Sequence, residues 1–190
     1  MNNHEQVGLT IGCLNNHEKV GLTFGCMSIL VDILGIAIPF WSYNGAGGNS
    51  GLWLFCGSTP LLGGYTCLPY ITVSVDLKAV RGIMIVGLLV MIAPVVIFLL
   101  KKFLLKDMAI LFKVISYVTG FAMTLNVFGV VIYGIDKNLN VPGTHLHIGF
   151  ALCIVAAVFC FVGGVFMAID KDAVQPKCED VCPIKKCPLF

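Results

Sequence analysis

The sequence predicts a mainly α membrane protein: a four-transmembrane-helix bundle with a small extracellular antiparallel β-sheet formed by the first loop. Composition is the first of three observations behind this. Hydrophobic residues make up 58% of the chain and charged residues 12%, against about 45–50% and 25% in soluble domains. Second, four continuous apolar stretches, roughly 20–41, 80–100, 109–134 and 146–169, each reach the about 20 helical residues that cross a bilayer core. Third, the connection between the first two is long, carries two cysteines and is rich in aromatic and β-branched residues. Continuous apolar runs, rather than ten-residue alternations, argue against a β-barrel.

Three regions follow. Residues 1–19 form a cytoplasmic extension, 20–170 the membrane domain with loops at 42–79 and 136–147, and 171–190 a cysteine-rich cytoplasmic tail. The N-terminus holds a duplication: Met1 to Cys13 and Leu14 to Cys26 agree at ten of thirteen positions. Only the second copy runs into a full-length span, and one duplication is not a solenoid. The repeated His4 and His17 lack a second ligand at helical or finger spacing, so no metal is expected there. Each copy contains Gly-x-x-x-Gly, and the second pair, Gly21 and Gly25, suits close helix approach, either within the bundle or in a dimer.

Orientation comes from the cations. With both termini cytoplasmic, nine of the 12 Lys and Arg residues lie inside, and Lys78, Arg81 and Lys137 lie outside, which satisfies the positive-inside rule. No basic n-region precedes a short apolar run, so the first span is expected to serve as an uncleaved signal-anchor.

The first loop then faces an oxidising compartment, where Cys56 and Cys67 can pair. Closing so short a loop stabilises it by about 3 kcal/mol on the chain-entropy estimate. Leu52-Trp53-Leu54-Phe55 and Tyr70-Ile71-Thr72-Val73-Ser74-Val75 have strand chemistry. The run from Asn44 to Ser50 is turn chemistry, which predicts a hairpin. Trp41 and Trp53 suit a membrane boundary, ring buried and N–H wet. The second loop is short, with a turn at Pro142-Gly143. Its His145 and His147 are read either as plain polar residues or as an external metal or proton sensor.

Within the bilayer, Asp32 and Asn126 stand out, because a carboxylate there is costly. Either they line an ion or proton path, or a protonated Asp32 is hydrogen-bonded across helices. Pro94 is expected to kink the second helix. Nothing in the chain points to a catalytic site, a cofactor or a metal. It has no Cys-x-x-Cys, no Ser/His/Asp constellation and no phosphate-binding glycine loop, and no nucleic-acid partner is expected. In the tail, Cys178, Cys182 and Cys187 are interleaved with lysines and suit S-palmitoylation, with zinc the weaker rival.

Pro39-Phe40-Trp41 ends the first span, Gly51-Leu52-Trp53 is followed by Cys56 and Cys67, and Arg81 opens the second span. Together these residues resemble the claudin and peripheral myelin protein superfamily, and Gly149-Phe150-Ala151 with Gly163-Gly164 look like its fourth helix. The resemblance covers residues 20 to 170. It implies a sheet built from the first loop, with Trp41, Trp53 and Arg81 at its seam with the membrane. It also implies a cell-junction protein acting by lateral and cell-to-cell association in a paracellular barrier.

Departures qualify what the resemblance implies. From Ser42 to Val75 there is no Asp, Glu, Lys or Arg, which favours sealing or adhesion over a charge-selective pore. Only nine residues separate Trp41 from Gly51, so a strand or a polymerisation segment is expected to be missing, as in a divergent or invertebrate-like member. Expected partners are membrane lipid, further copies of the chain and a cytoplasmic scaffold, although Pro188 removes a donor that PDZ pairing uses. The alternative is an auxiliary subunit of an ion channel or receptor.

Overall fold

The computed structural model describes residues 16–44, 47–59, 64–103, 110–135 and 144–168. The first copy of the duplication, Gly45-Ala46, Pro142-Gly143 and the tail cysteines Cys178, Cys182 and Cys187 lie outside the described residues. Four helices carry the described fold: α1 (Asn16–Ala37), α2 (Val75–Phe103), α3 (Ile110–Ile135) and α4 (Ile148–Ala168). All four are long and apolar enough to cross a membrane. Even the shorter ones, at about 1.5 Å per residue, match a hydrocarbon core about 30 Å thick. Only 33% to 39% of each span is buried inside the protein, and outward residues such as Leu34, Leu89, Phe121 and Phe161 are apolar. A helix in water would carry polar residues on that face. Helices that are apolar outside as well as inside are compatible with a multi-pass membrane protein.

Around the bundle the order is α1, α4, α3, α2, with a thinner contact closing α2 onto α1. Thus α1 and α3 are diagonal. The tightest pair is α1 with α4, because glycine lets the backbones touch. A Cβ on Gly163 would lie 2.9 Å from the Gly25 nitrogen, and one on Gly21 would lie 3.0 Å from the Met167 nitrogen. The Gly21/Gly25 pair is therefore spent on packing within the chain, with small residues at a helix interface.

A five-stranded antiparallel sheet sits where α1 ends and α2 begins. Its strands are β1 (Ser42–Asn44), β2 (Gly48–Ser50), β3 (Leu54–Thr59), β4 (Gly64–Pro69) and β5 (Thr144–Leu146). Their spatial order is β4-β3-β2-β1-β5. The fifth strand corrects the expectation of a sheet from the first loop alone: the second loop adds β5 to the edge of β1, pairing Ser42 with Leu146 and Asn44 with Thr144. The compact stretch between Trp41 and Gly51 still holds two strands, each of three residues.

Other boundaries also differ from the sequence reading. The first span stops at Ala37, not at residue 41, because Pro39 removes a donor and disfavours helix in the residue before it. The segment from Tyr70 to Val75 is not a strand. Its β-branched residues find no ladder partner beyond Pro69, and Ser74 instead starts α2: its Oγ accepts from the Leu77 N–H at 3.2 Å, the geometry of a helix N-cap. At its N-terminal end, α1 extends back to Asn16, so Asn16 to Lys19 are helical.

Candidate functional site

A helix ending at Ala37 leaves its last four carbonyls without intrahelical partners. The Ile38 N–H reaches the Leu34 carbonyl at 3.1 Å, and two tryptophans serve the next two. Trp41 Nε1–H donates to the Gly35 carbonyl at 2.7 Å, and Trp53 Nε1–H donates to the Ile36 carbonyl at 3.0 Å. Trp41 is 0% exposed, so its indole N–H is dry, contrary to the wet boundary position read from the sequence. Burying an indole is favourable only when its N–H finds an acceptor, and the end of α1 provides one.

The rest of the seam is built round these rings. Trp41 meets Tyr133 of α3 edge-on, with centroids 4.9 Å apart, and Phe150 of α4 at 6.4 Å. The hydroxyls of Tyr133 and Ser42 share a hydrogen bond of 3.1 Å that ties β1 to α3. Beside Trp41 lies the first turn of α4, where the Gly149 N–H donates to the Phe40 carbonyl at 2.7 Å. A Cβ on Gly149 would come within 2.7 Å of Trp41 Cδ1, so glycine here lets the indole lie against the helix start.

Arg81 completes the arrangement from α2. Its Nε–H donates to the Leu52 carbonyl at 2.6 Å, and its guanidinium carbon lies 5.0 Å from the Trp53 ring centre and 5.6 Å from that of Tyr70. A flat cation between two aromatic faces is stabilised by their quadrupoles as well as by its hydrogen bond. Tyr70 in turn donates its hydroxyl to the Gly51 carbonyl at 3.0 Å. Burial pushes the Tyr70 phenol above its usual pKa, while a hydrogen bond with Ser50 and the charge of Arg81 oppose this. Gly51 packs so closely on Pro39 that a Cβ would lie 2.5 Å from the Pro39 Cα.

Every signature residue thus meets at one place: Trp41, Gly51, Leu52, Trp53 and Arg81. Sequence reasoning missed the partners Gly35, Ser42, Tyr70 and Tyr133. Tyr133 had no readable signal, being one aromatic among many in an apolar run. Gly35 was legible in principle, as a residue in the last turn of a helix stopped by Pro39.

Further out, Cys56 and Cys67 are joined by a disulfide and face each other in the β3–β4 register. Phe55 and Leu68 also face each other there, and both are exposed, as are Tyr65 and the fully exposed Ile71. The Tyr65 hydroxyl accepts from the Asn49 side chain. His145 pairs with Tyr43 in the β1–β5 ladder, and the His147 ring lies 5.9 Å from Phe40 and 6.5 Å from Tyr43.

A second polar cluster lies inside the bundle. Asn126 of α3 donates from Nδ2 to Asp32 Oδ1 of α1 at 2.7 Å, and both residues are 0% exposed. The two residues singled out separately in the sequence are each other's partners across the diagonal. Ser28 and Thr119, also buried, donate to carbonyls of their own helices, Gly25 and Ile115. No protein-family model matches the chain, and no curated protein matches it either.

Proposed function

We propose that the chain is a claudin-like structural and adhesive protein of cell–cell contacts, placed in the plasma membrane with both termini cytoplasmic. It acts by lateral and cell-to-cell association, and its sheet faces the space between cells. The observation that carries this reading is the sheet itself, fastened to α1 and α2 by the hydrogen bonds of Trp41, Trp53 and Arg81 and displaying Phe55, Leu68 and Tyr65, with Ile71 exposed just beyond β4. Apolar groups on the water-facing part of a protein favour a contact surface. The stretch from Ser42 to Val75 has no fixed charge, so a gap lined by it offers ions no compensation for lost hydration and hinders both signs alike. That supports sealing over charge-selective conduction. The tail thiols Cys178, Cys182 and Cys187 would hold the C-terminus at the inner leaflet once acylated, with a scaffold protein as a further partner.

The test mixes epithelial cells that express a tagged chain with cells that do not. Enrichment confined to contacts between two expressing cells supports homophilic association. The paired change Phe55→Asp with Leu68→Asp should abolish that enrichment at unchanged surface amount. In monolayers, resistance should rise with an unaltered sodium-to-chloride permeability ratio. A uniform surface distribution together with stoichiometric co-purification of a channel would move the assignment to an auxiliary subunit.

A further inference from the structure

The centre of the bundle holds an imbalance that a single proton removes. One hydrogen bond joins Asn126 Nδ2 to Asp32 Oδ1, and it leaves Asp32 Oδ2 and Asn126 Oδ1 buried with no partner. An ionised carboxylate and an amide oxygen are both acceptors, so neither can satisfy the other. Buried polar atoms are otherwise almost always paired.

Among the described residues, the other donor beside the carboxyl is the weak S–H of Cys153 in α4, and no buried residue carries a positive charge. Among the described residues the buried polar ones are Ser28, Asp32, Ser42, Thr119 and Asn126, with no Lys, Arg or His. Ser28 and Thr119 are committed to their own backbones. The titratable neighbours are thiols of α4, Cys153 beside the carboxyl and Cys160 further along the helix. The core residues of α2, among them Met84, Met91 and Val95, are apolar.

A carboxylic acid and a primary amide are flat groups of similar size. Once one N–H···O bond holds them edge to edge, a proton on the second acid oxygen can close the matching O–H···O bond. We propose that Asp32 and Asn126 form a one-proton binding site, with Asp32 carrying the proton on Oδ2 and donating it to Asn126 Oδ1. The closed pair then has two reciprocal hydrogen bonds, no net charge and no orphaned oxygen. A bound metal cation is the competing occupant, but hard cations take about six oxygens, and only two are left over here.

Position gives the site its consequence. The pair spans the diagonal from α1 to α3, and one turn further along α1 stand Gly35 and Ile36, the carbonyls that receive the two indoles. The proton therefore fixes α1 directly beneath the sheet seam. Loss of that proton would set the Asp32 carboxylate against the Asn126 oxygen, leaving one bond of two and a charge with no counterion.

Infrared difference spectra of the full chain in phospholipid nanodiscs test this, parent against Asp32→Asn. The expected result at neutral pH is a hydrogen-bonded protonated-carboxyl C=O stretch that is lost in the variant. Asp32→Asn should keep a thermal midpoint close to the parent's, because two amides can make the same reciprocal pair without charge. Asn126→Leu should lower the midpoint and move the stretch to the frequency of an unbonded acid. Absence of the protonated band at neutral pH would overturn the proposal. So would a sodium-dependent rise in the midpoint that disappears in Asp32→Asn, since that outcome assigns the two oxygens to a cation.

Discussion

The sheet seam and the bundle centre solve the same problem, a polar group in a dry place, with different chemistry. At the seam, side-chain donors (two indoles and a guanidinium) meet backbone carbonyls of Gly35, Ile36 and Leu52. At the centre, two side chains meet each other, and one atom on each is left over. Backbone acceptors cannot be mutated away, so removing a seam donor always orphans a carbonyl. At the centre both partners are replaceable. The seam is a fixed joint, whereas the centre is an adjustable one.

The largest expected effect comes from breaking the seam at Trp41. Trp41→Ala removes a fully buried indole and should cost about 3–5 kcal/mol. Trp41→Phe keeps an apolar ring but leaves the Gly35 carbonyl without its donor, a loss of about 1–3 kcal/mol. Reversible unfolding of the purified chain in mixed micelles measures both. Equal losses in the two variants would mean that the N–H, rather than the ring, carries the seam.

At the centre the expected order is inverted. Asn126→Leu strands the Asp32 carboxyl and Asp32→Leu strands the Asn126 amide, each costing about 1–3 kcal/mol. Changing both to leucine removes both polar groups together, and replacing both partners of a buried hydrogen bond by apolar groups is close to neutral. The double variant should therefore be more stable than either single one. A double variant whose losses simply add would break the comparison, because it would show that the pair is not an isolated unit.

These two regions were unequally legible in the sequence. The spans read as 109–134 and 146–169 fall within two residues of α3 and α4, since a long apolar run fixes a helix whatever its neighbours do. The signature residues of the seam were legible as a set, but their bonds were not. Which carbonyl receives an indole depends on where α1 stops, and that depended on reading Pro39 as a terminator rather than as part of the span. The strand assigned to Tyr70–Val75 failed because β-branched composition describes a surface, and no strand lay beside it. Ser74 ahead of Asp76 was the competing helix-start signal. β5, three residues long, has no pattern of its own and exists only because β1 offers an edge. Asp32 and Asn126 were each conspicuous as polar residues in apolar runs, yet 94 positions separate them, and no local period joins residues on diagonal helices.

A smaller effect is expected at Arg81. Arg81→Lys keeps the charge but loses the planar group between Trp53 and Tyr70 and the Nε–H bond to Leu52. About 1 kcal/mol should be lost. In a Trp41→Phe background Trp53 is the one remaining indole, and its emission should move to longer wavelength as the cover is loosened. Unchanged emission would place the guanidinium outside the joint.

The smallest effect sharpens the seam by pH. Tyr70 is held above its ordinary value of 10.0, chiefly by burial, so the folded chain binds that proton more tightly than the unfolded one. The linked stability is complete below 10.0, the value in the unfolded chain, and is lost as the pH rises from there through the folded value. Tyr70→Phe removes both the titration and the bond to the Gly51 carbonyl. It should lower stability slightly at neutral pH and flatten the alkaline part of the profile. A parent profile already flat in that range would show that the phenol titrates as freely as in the unfolded chain, and that the outer side of the seam is open to water while the Trp41 side stays closed.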